Sequence, residues 1–245
     1  MVVAIPYRMG PDNGAELRFT LRSIAKYTDA QTVILLGECP VWASVVHVPV
    51  KELHGGTGNV YRSTAHKAML ACLRPEVGDE LLWMADDMPF VNPVSADELR
   101  LARSNMDLNG KVNWRQVNPT ASAEWKKVMQ ASWTQLYRLR LPRYGYETHT
   151  PRLYNKWQLM ETIERHGLLS NSMHLATMHY NTHRARPDRQ STADFKGKVV
   201  RGWTPESVNA RIREVKHLNW QQKEWGPEMH RFMQGLLPNK CRFEK

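Results

Sequence analysis

The sequence predicts an α/β fold: a mostly parallel, Rossmann-type sheet flanked by helices, with a mainly helical, basic second half. One observation is the β-α-β-β-α-β order of strand and helix patterns up to residue 87, which is typical of parallel sheets with helices on their faces. Another is that apolar residues beyond residue 95 recur mostly at helical spacing. A chain of 245 residues can bury a sizeable core. We therefore expect one continuous domain with two halves, 1–95 and 96–245.

The first half contains the patterns of four strands and two helices. Short apolar and β-branched runs predict the strands, and apolar residues at helical spacing between polar ones predict the helices. The strands are expected at 2–5, 32–36, 44–50 and 81–84. The helices are expected at 15–27 and 61–73.

The second half carries clear helix starts. Ser95 and Glu98 have the spacing of a capping box, and Thr204 precedes a proline at the first helical position. The final stretch, 220–245, is expected either to pack poorly or to serve as a binding arm. The predicted helices are 95–103, 121–136, 156–166 and 204–215.

The charge is unevenly distributed, although the chain as a whole carries +10. Residues 1–95 hold 8 Lys and Arg against 10 Asp and Glu, whereas residues 96–245 hold 26 against 14. Clustered cations favour a polyanionic partner, and the seven tryptophans of the second half can stack on bases or sugars. The alternative is a basic protein whose tryptophans lie mostly in its core.

Other features exclude several classes of protein. No apolar run reaches the length of about 18 residues that a membrane helix needs, and no signal peptide precedes the first strand. We therefore expect a cytoplasmic protein with no membrane partner. Cys39, Cys72 and Cys241 are far apart and lack CxxC spacing, which predicts free thiols.

Asp86 and Asp87 are the strongest candidates for a metal site. They follow the fourth predicted strand, and Pro89 then ends regular structure. Ligands of open α/β sheets bind at the carboxyl ends of strands, and paired carboxylates suit hard cations such as Mg²⁺ or Mn²⁺. The alternative is an exposed Asp-Asp turn.

Three further groups could bind a nucleotide. Pro6, Tyr7 and Arg8 follow the first strand, where an aromatic ring can stack and an arginine can bind phosphate. Glycines at 55, 56 and 58 permit close backbone approach but match no phosphate-loop motif. Arg62 and Lys67 can neutralise a diphosphate. The alternatives are a surface turn, a mobile lid and a solvated helix face.

Together these motifs resemble a known family. The pieces GAELRFTLRSIAKYT, YRSTAHKAML, ELLWMADDMPFVNPVS and RYGYETHTPRLY are similar to conserved regions of the Stealth sugar-phosphate transferases and, more broadly, of GT-A nucleotide-sugar glycosyltransferases. The resemblance implies a GT-A-like fold, a UDP-sugar donor, and Mn²⁺ or Mg²⁺ at Asp86 and Asp87. It also implies that residues 6–8 form the nucleotide-binding turn.

A transferase that inverts the sugar's configuration needs a base for the acceptor hydroxyl. Glu147 and His149, in a loop just ahead of Pro151, are the candidates, although either residue can be structural. In GT-A enzymes a late histidine often completes the metal shell, so the resemblance implies this role for His179 or His183.

A basic loop with Arg184, Arg186 and Arg189 follows these histidines and is suited to phosphate.

Three functions are consistent with the features of the sequence. The first is a phage-type glycosyltransferase that modifies a hydroxymethylated pyrimidine, such as hydroxymethylcytosine, in double-stranded DNA. The second is a Stealth-like transferase acting on a polysaccharide, and the third is a non-catalytic nucleic-acid-binding protein.

Overall fold

The computed structural model describes residues 1–10, 12–51, 58–109, 121–188, 194–200, 202–220 and 225–245. No helix within these ranges is both long and apolar enough to cross a membrane. The strands are β1 Val2–Tyr7, β2 Thr32–Gly37, β3 Val46–Val48, β4 Glu80–Trp83, β5 Met106–Asp107, β6 Tyr144–Gly145, β7 Arg152–Asn155, β8 Lys196–Lys198 and β9 His217–Asn219. The helices are Ala15–Tyr27, Asn59–Cys72, Ala96–Arg100, Ala123–Arg138, Lys156–Arg165, Leu175–Thr182, Pro205–Ile212 and Pro227–Leu236.

The central sheet has five strands in the order β3-β2-β1-β4-β7. The first four run parallel, and β7 is antiparallel to β4, with Leu82 paired to Val3 on one side and Leu153 on the other. The predicted mostly parallel sheet is confirmed. Because β7 comes from the second half, both halves build the same sheet.

The alternation of side chains along β1 separates two cores. Val3 and Ile5 pack with the helix Ala15–Tyr27 on one face of the sheet. Ala4 packs on the other face, where Ala65 and Ala68 let the helix Asn59–Cys72 approach closely. The predicted α/β layering is therefore confirmed, and it leaves the carboxyl ends of the strands open to a ligand.

Local capping signals locate the helix starts correctly. Ser95 Oγ accepts a hydrogen bond from the Glu98 amide, and Glu98 Oε2 accepts one from the Ser95 amide, which completes the predicted capping box. Thr204 and Ser207 form the same motif at the start of the helix Pro205–Ile212. The helix predicted at 95–103 spans Ala96–Arg100 and ends before residue 103, because Leu101 adopts an extended backbone.

The prediction that residues 220–245 pack poorly or form a binding arm is wrong. Trp220 is 1% exposed, and Met229 and Met233 on the helix Pro227–Leu236 are fully buried. Their spacing of four residues is an amphipathic stripe that closes a third core. The carboxyl-terminal segment is therefore part of the fold.

His217 is a fully buried histidine, and its protonation should affect how the free energy of unfolding depends on pH. Burial, reinforced by the nearby charges of Lys196 and Arg103, lowers its pKa to about 3. An unfolded histidine binds a proton below about pH 6.5, so acid favours the unfolded chain and stability falls as pH drops from there. We expect His217→Gln to reduce the slope of unfolding free energy against pH, between about pH 4.5 and 6, by about 1.4 kcal/mol per pH unit.

Urea denaturation at several pH values measures this slope. His230→Gln, which makes the same chemical change at an exposed position, is the matched control for the loss of a histidine. An equal slope in wild type and His217→Gln would show that this residue carries no such linkage.

Candidate active site

The carboxyl ends of β1 and β4 border a cleft of about 550 Å³. β1 brings Tyr7 and Arg8 to this edge, and the segment after β4 brings Asp86 and Asp87. The structure thus unites the predicted nucleotide-binding turn with the predicted metal-binding acids. The cleft is lined by Tyr7, Arg8, Met9, Gly10, Asp12, Gly14, Glu16, Leu17, Asp86 and Asp87.

Two neighbouring elements hold the acidic pair in place. Thr20 Oγ1, on the helix Ala15–Tyr27, donates a hydrogen bond of 2.5 Å to the Asp86 carbonyl oxygen. Asn219 Nδ2, at the end of β9, donates one of 2.9 Å to Asp87 Oδ2. Both aspartates are partly buried, which differs from the exposed turn considered as the alternative.

The cleft concentrates negative charge. Burial and the Asp87 charge raise the pKa of Asp86 to about 7, and burial raises that of Asp87 to about 6. Burial together with the Asp86 charge also raises the pKa of Glu16 to about 7. Like charges in a partly buried site repel, so a bound cation would relieve an unfavourable interaction.

The donor set fits a hard divalent cation. Carboxylate oxygens suit Mg²⁺ or Mn²⁺, and Mg²⁺ is usually held by one or two carboxylates with waters and substrate phosphates filling the other positions. Across the described part of the chain, no three or more His, Cys, Asp or Glu side chains form a ready-made metal site. Asp86 and Asp87 would therefore supply only part of the coordination shell.

A second cleft of about 520 Å³ adjoins the first and shares Tyr7 and Arg8 with it. It extends over the ends of β2 and β3, which gives it the position of a nucleoside pocket beside the carboxylates. It is lined by Tyr7, Arg8, Gly37, Glu38, Pro49, Val50 and Lys51.

Lys67 and Arg62 occupy different positions on the helix Asn59–Cys72. Lys67 is 4% exposed, and its charge acts to lower the pKa of Asp86, so it is not on a solvated face. Arg62 donates a hydrogen bond to Asn59 on its own helix. Of the predicted glycine cluster, Gly58 is the capping residue directly before this helix, whereas residues 55 and 56 lie outside the described residues.

Gly37 shapes the edge between the two clefts. Its φ is +127°, and a Cβ placed there would lie 2.2 Å from the Tyr7 carbonyl oxygen. We expect Gly37→Ala to lower the free energy of unfolding by about 3 kcal/mol, because it combines a disfavoured backbone with a clash against main chain. Urea denaturation tests this value.

Gly78→Ala provides the control for Gly37→Ala, since a Cβ at Gly78 meets nothing within 4 Å. This variant should change stability little. Equal effects of the two substitutions would contradict the explanation by clash.

Glu147, a predicted catalytic residue, pairs with a histidine. Its Oε2 lies 3.5 Å from Nδ1 of His174. Burial alone would raise the pKa of Glu147, but His174, Arg152 and His149 outweigh it and lower the pKa to about 2. Since a general base works best with a pKa near the working pH, Glu147 is a weak base and a strong hydrogen-bond acceptor.

His149, the other predicted base, has a left-handed backbone with φ of +48°. Its side chain reaches solvent, but crowding by protein atoms and the charge of Lys196 lower its pKa to about 4. Lys196 Nζ donates a hydrogen bond of 2.7 Å to the Thr148 carbonyl oxygen. The Lys196 charge also acts on Asp87, so this lysine links the 147–150 loop to the acidic pair.

The predicted metal role of His183 has no support in its surroundings. Its Nε2 lies 3.1 Å from both Thr162 Oγ1 and the Gln158 carbonyl oxygen. His179 also contacts Thr162, at 3.2 Å. For the part of the chain described, the ring's hydrogen-bond partners lie on the helix Lys156–Arg165, so the structure does not bring His183 to Asp86.

The predicted phosphate-binding loop is only partly described. Arg184 and Arg186 are exposed after the helix Leu175–Thr182, and Arg189 lies outside the described residues. The sequence reasoning missed Glu16, Asn219 and Lys196. Glu16, in the first turn of the helix that follows the β1 turn, was the one with a usable local signal.

Comparison with known proteins bears on the fold. No protein-family model matches the chain, and no curated protein matches it in sequence. The chain is similar to the galactosyltransferase LgtC in complex with donor and acceptor sugar analogues, with a TM-score of 0.51 at 12% identity over 99% of this chain and 98% of that one. An active-site mutant of LgtC gives a TM-score of 0.50 at the same identity and coverage.

Mouse xyloside xylosyltransferase 1 in its apo form aligns with a lower TM-score of 0.46, at 10% identity over 92% of this chain and 99% of that one. The fold assignment rests on the two LgtC structures, which align over nearly the whole of both chains. Together with the mostly parallel sheet, this likeness shows that the chain has the GT-A fold of the nucleotide-sugar glycosyltransferases.

Proposed function

We propose that the protein is a glycosyltransferase that moves a sugar from a nucleotide-sugar donor to a hydroxyl group. The observation that carries this proposal is the Asp86–Asp87 pair, held at the carboxyl edge of the sheet beside Tyr7 and Arg8. Ligands of open α/β sheets bind at this edge. The LgtC structure with donor and acceptor sugar analogues, which has the same fold, supports the proposed sugar transfer.

The donor would span the two adjoining clefts. The nucleoside fits the cleft over β2 and β3, where Tyr7 offers a ring for stacking and Arg8 a fork for phosphate. The diphosphate would then lie near Asp86 and Asp87. A Mg²⁺ or Mn²⁺ ion bound there would stabilise the negative charge of the departing diphosphate. UDP-sugar is the donor that the sequence resemblance implies.

The acceptor hydroxyl must lose its proton during transfer if the sugar's configuration is inverted. His149 is better suited than Glu147 to receive it. Its pKa of about 4 lies closer to neutral pH than the Glu147 value of about 2, and its side chain is open to solvent at a strained position of the loop. Lys196 would hold this loop beside Asp87 through the Thr148 carbonyl.

For the acceptor we propose a hydroxymethylated pyrimidine in double-stranded DNA, in the manner of a phage modification enzyme of the host cytoplasm. The charge distribution supports this choice, because residues 96–245 hold 26 Lys and Arg against 14 Asp and Glu. Exposed Arg184 and Arg186 belong to this basic half. An anionic polysaccharide, the acceptor of a Stealth-like transferase, is the second candidate, since it would be attracted by the same charge.

The test is to incubate the protein with Mn²⁺ and a panel of nucleotide sugars, with and without duplex DNA containing hydroxymethylcytosine or hydroxymethyluracil. We expect nucleotide release together with a hexose-sized mass gain on the modified nucleoside. Release without any change in the DNA would retain the transferase chemistry and move the acceptor to a glycan. No release with any donor would overturn the proposed function.

A further inference from the structure

A small cavity of about 140 Å³ lies beside the 147–150 loop, and we call it the Glu147 cavity. Several of the residues that line it belong to the core between the sheet and the helix Asn59–Cys72. Tyr7 and Leu17, which line the 550 Å³ cleft at Asp86 and Asp87, belong to the core on the opposite face of the sheet. The two spaces are therefore distinct. The Glu147 cavity is lined by Val60, Tyr61, Thr64, Trp83, Glu147, Arg152, Tyr154, Met173, His174, Leu175 and Ala176.

Two buried polar atoms in these walls have no hydrogen-bond partner among the described residues: Glu147 Oε1 and His174 Nε2. His174 as a whole is only 2% exposed. Leaving such an atom unsatisfied is energetically costly, and native proteins rarely tolerate it without a ligand or an ordered water. Two such atoms on facing side chains of one cavity indicate a bound polar group.

Neighbouring groups already hold both side chains in position. The His174 amide donates a hydrogen bond of 2.9 Å to Ser132 Oγ, and the ring packs edge-on against Tyr61 at 4.7 Å between centroids. Trp125 lies 5.5 Å away on another side of the ring. The pairing of Glu147 Oε2 with His174 Nδ1 leaves Glu147 Oε1 and His174 Nε2 available to a ligand.

The chemistry of these atoms defines what can bind. An ionised carboxylate oxygen only accepts hydrogen bonds, whereas His174 Nε2 donates one when the ring is protonated and accepts one when Nδ1 alone carries hydrogen. The ligand must therefore offer a donor to Glu147 beside a group that can donate to or accept from His174. The negative charge of Glu147 disfavours phosphate or carboxylate, since Arg152, the cation in the wall, already donates to backbone carbonyl oxygens. Trp83, Tyr61 and Met173 supply apolar walls for a carbon framework. Neighbouring hydroxyl groups on a sugar ring combine these properties.

We propose that the Glu147 cavity is a sugar-recognition subsite that binds adjacent hydroxyl groups of a sugar ring through Glu147 and His174. Its biological meaning rests on the proposed function, since a glycosyltransferase handles the transferred sugar and can also act on a sugar acceptor. The 147–150 loop connects the subsite to the catalytic edge, because Lys196 binds Thr148 and acts electrostatically on Asp87.

Direct binding of free sugars tests the subsite without any need for turnover. The protein labelled with ¹⁵N-histidine is titrated with glucose, galactose, xylose and N-acetylglucosamine, and the His174 ring signal is identified by its loss in His174→Asn. We expect this signal to shift with at least one sugar and the affinity to fall at least tenfold in Glu147→Gln. Glu164→Gln, at an exposed position, should bind as wild type does.

No shift with any sugar, or an unchanged affinity in Glu147→Gln, would overturn the subsite and leave a cavity that holds water. Thr64→Met provides a second variant that keeps the charge of Glu147 and fills the cavity from a partly exposed position. It should also abolish the shift. Retained sugar binding in Thr64→Met would place the sugar outside the cavity.

Calorimetry with UDP and UDP-sugars then distinguishes the source of the sugar. Weaker binding of UDP-sugar with unchanged binding of UDP in Glu147→Gln assigns the subsite to the transferred sugar. Unchanged binding of both, with a raised KM for the acceptor, assigns it to the acceptor sugar. A wild-type protein that binds free sugar but neither binds nor cleaves any nucleotide sugar would refute the proposed function and leave the subsite standing.

Discussion

Asp87→Asn is expected to reduce nucleotide-sugar turnover by at least about 10³-fold, which corresponds to roughly 4 kcal/mol of lost transition-state stabilisation. The substitution removes one negative charge from the cleft and little else. The side chain keeps its size and an oxygen that can accept the hydrogen bond from Asn219. A divalent cation at Asp86 and Asp87 would lose one of its protein ligands, and the departing diphosphate would lose the charge that stabilises it.

Turnover is measured as nucleotide release over a range of Mn²⁺ concentrations, and folding by thermal unfolding of the same samples. Because burial disfavours the charged form of Asp87, its replacement should not lower the melting temperature. Asp97→Asn makes the same chemical change at an exposed site and should retain wild-type activity. If Asp87→Asn turned over donor as fast as wild type, the metal assignment would be abandoned.

The sequence was sufficient to predict the sheet and its acidic edge because both depend on local patterns. Helical spacing of Leu17, Leu21 and Ile24 located the first helix, Ala15–Tyr27, to the residue. Asp86 and Asp87 lie just beyond a strand that ends at Trp83, so parallel pairing alone brings them to the edge where Tyr7 ends the neighbouring strand. The predicted contents of the cleft required no knowledge of distant contacts.

What the sequence could not predict depends on contacts between distant segments. Asn219 reaches Asp87 across 132 positions, and Lys196 reaches the Thr148 carbonyl across 48. No periodicity in one segment specifies such a partner. His183 shows the same limit, because its spacing from His179 fits a metal site as well as it fits the packing of two helices. Only the position of Thr162 identifies the packing contact.

The carboxyl-terminal segment is similarly held by a long-range ion pair. Arg22 Nε donates a hydrogen bond of 2.8 Å to Glu244 Oε1, and Nη2 donates one of 3.2 Å to Oε2. Arg22 Nη1 also donates one of 2.9 Å to the Leu237 carbonyl oxygen. The Glu244 side chain is 2% exposed and the Arg22 side chain 9%, so the pair lies inside the protein and not on its surface.

Glu244→Ala is expected to lower the free energy of unfolding by about 3–5 kcal/mol, because it leaves the Arg22 charge buried without its partner. Urea denaturation measures the loss. Glu228→Ala, at an exposed position on the helix Pro227–Leu236, should change stability by no more than about 0.5 kcal/mol. Arg22→Met combined with Glu244→Leu should recover most of the stability lost in Glu244→Ala, since it removes both charges and fills the space with apolar atoms.

The combination separates two explanations of a loss in Glu244→Ala. If an unpaired charge is the cause, the double substitution recovers stability although no ion pair remains. If instead the attraction between Arg22 and Glu244 is what stabilises the fold, the double variant stays as unstable as the single one. We expect recovery, because the free energy needed to remove both ions from water offsets much of their attraction. An unstable double variant with a stable Glu228→Ala would contradict this account.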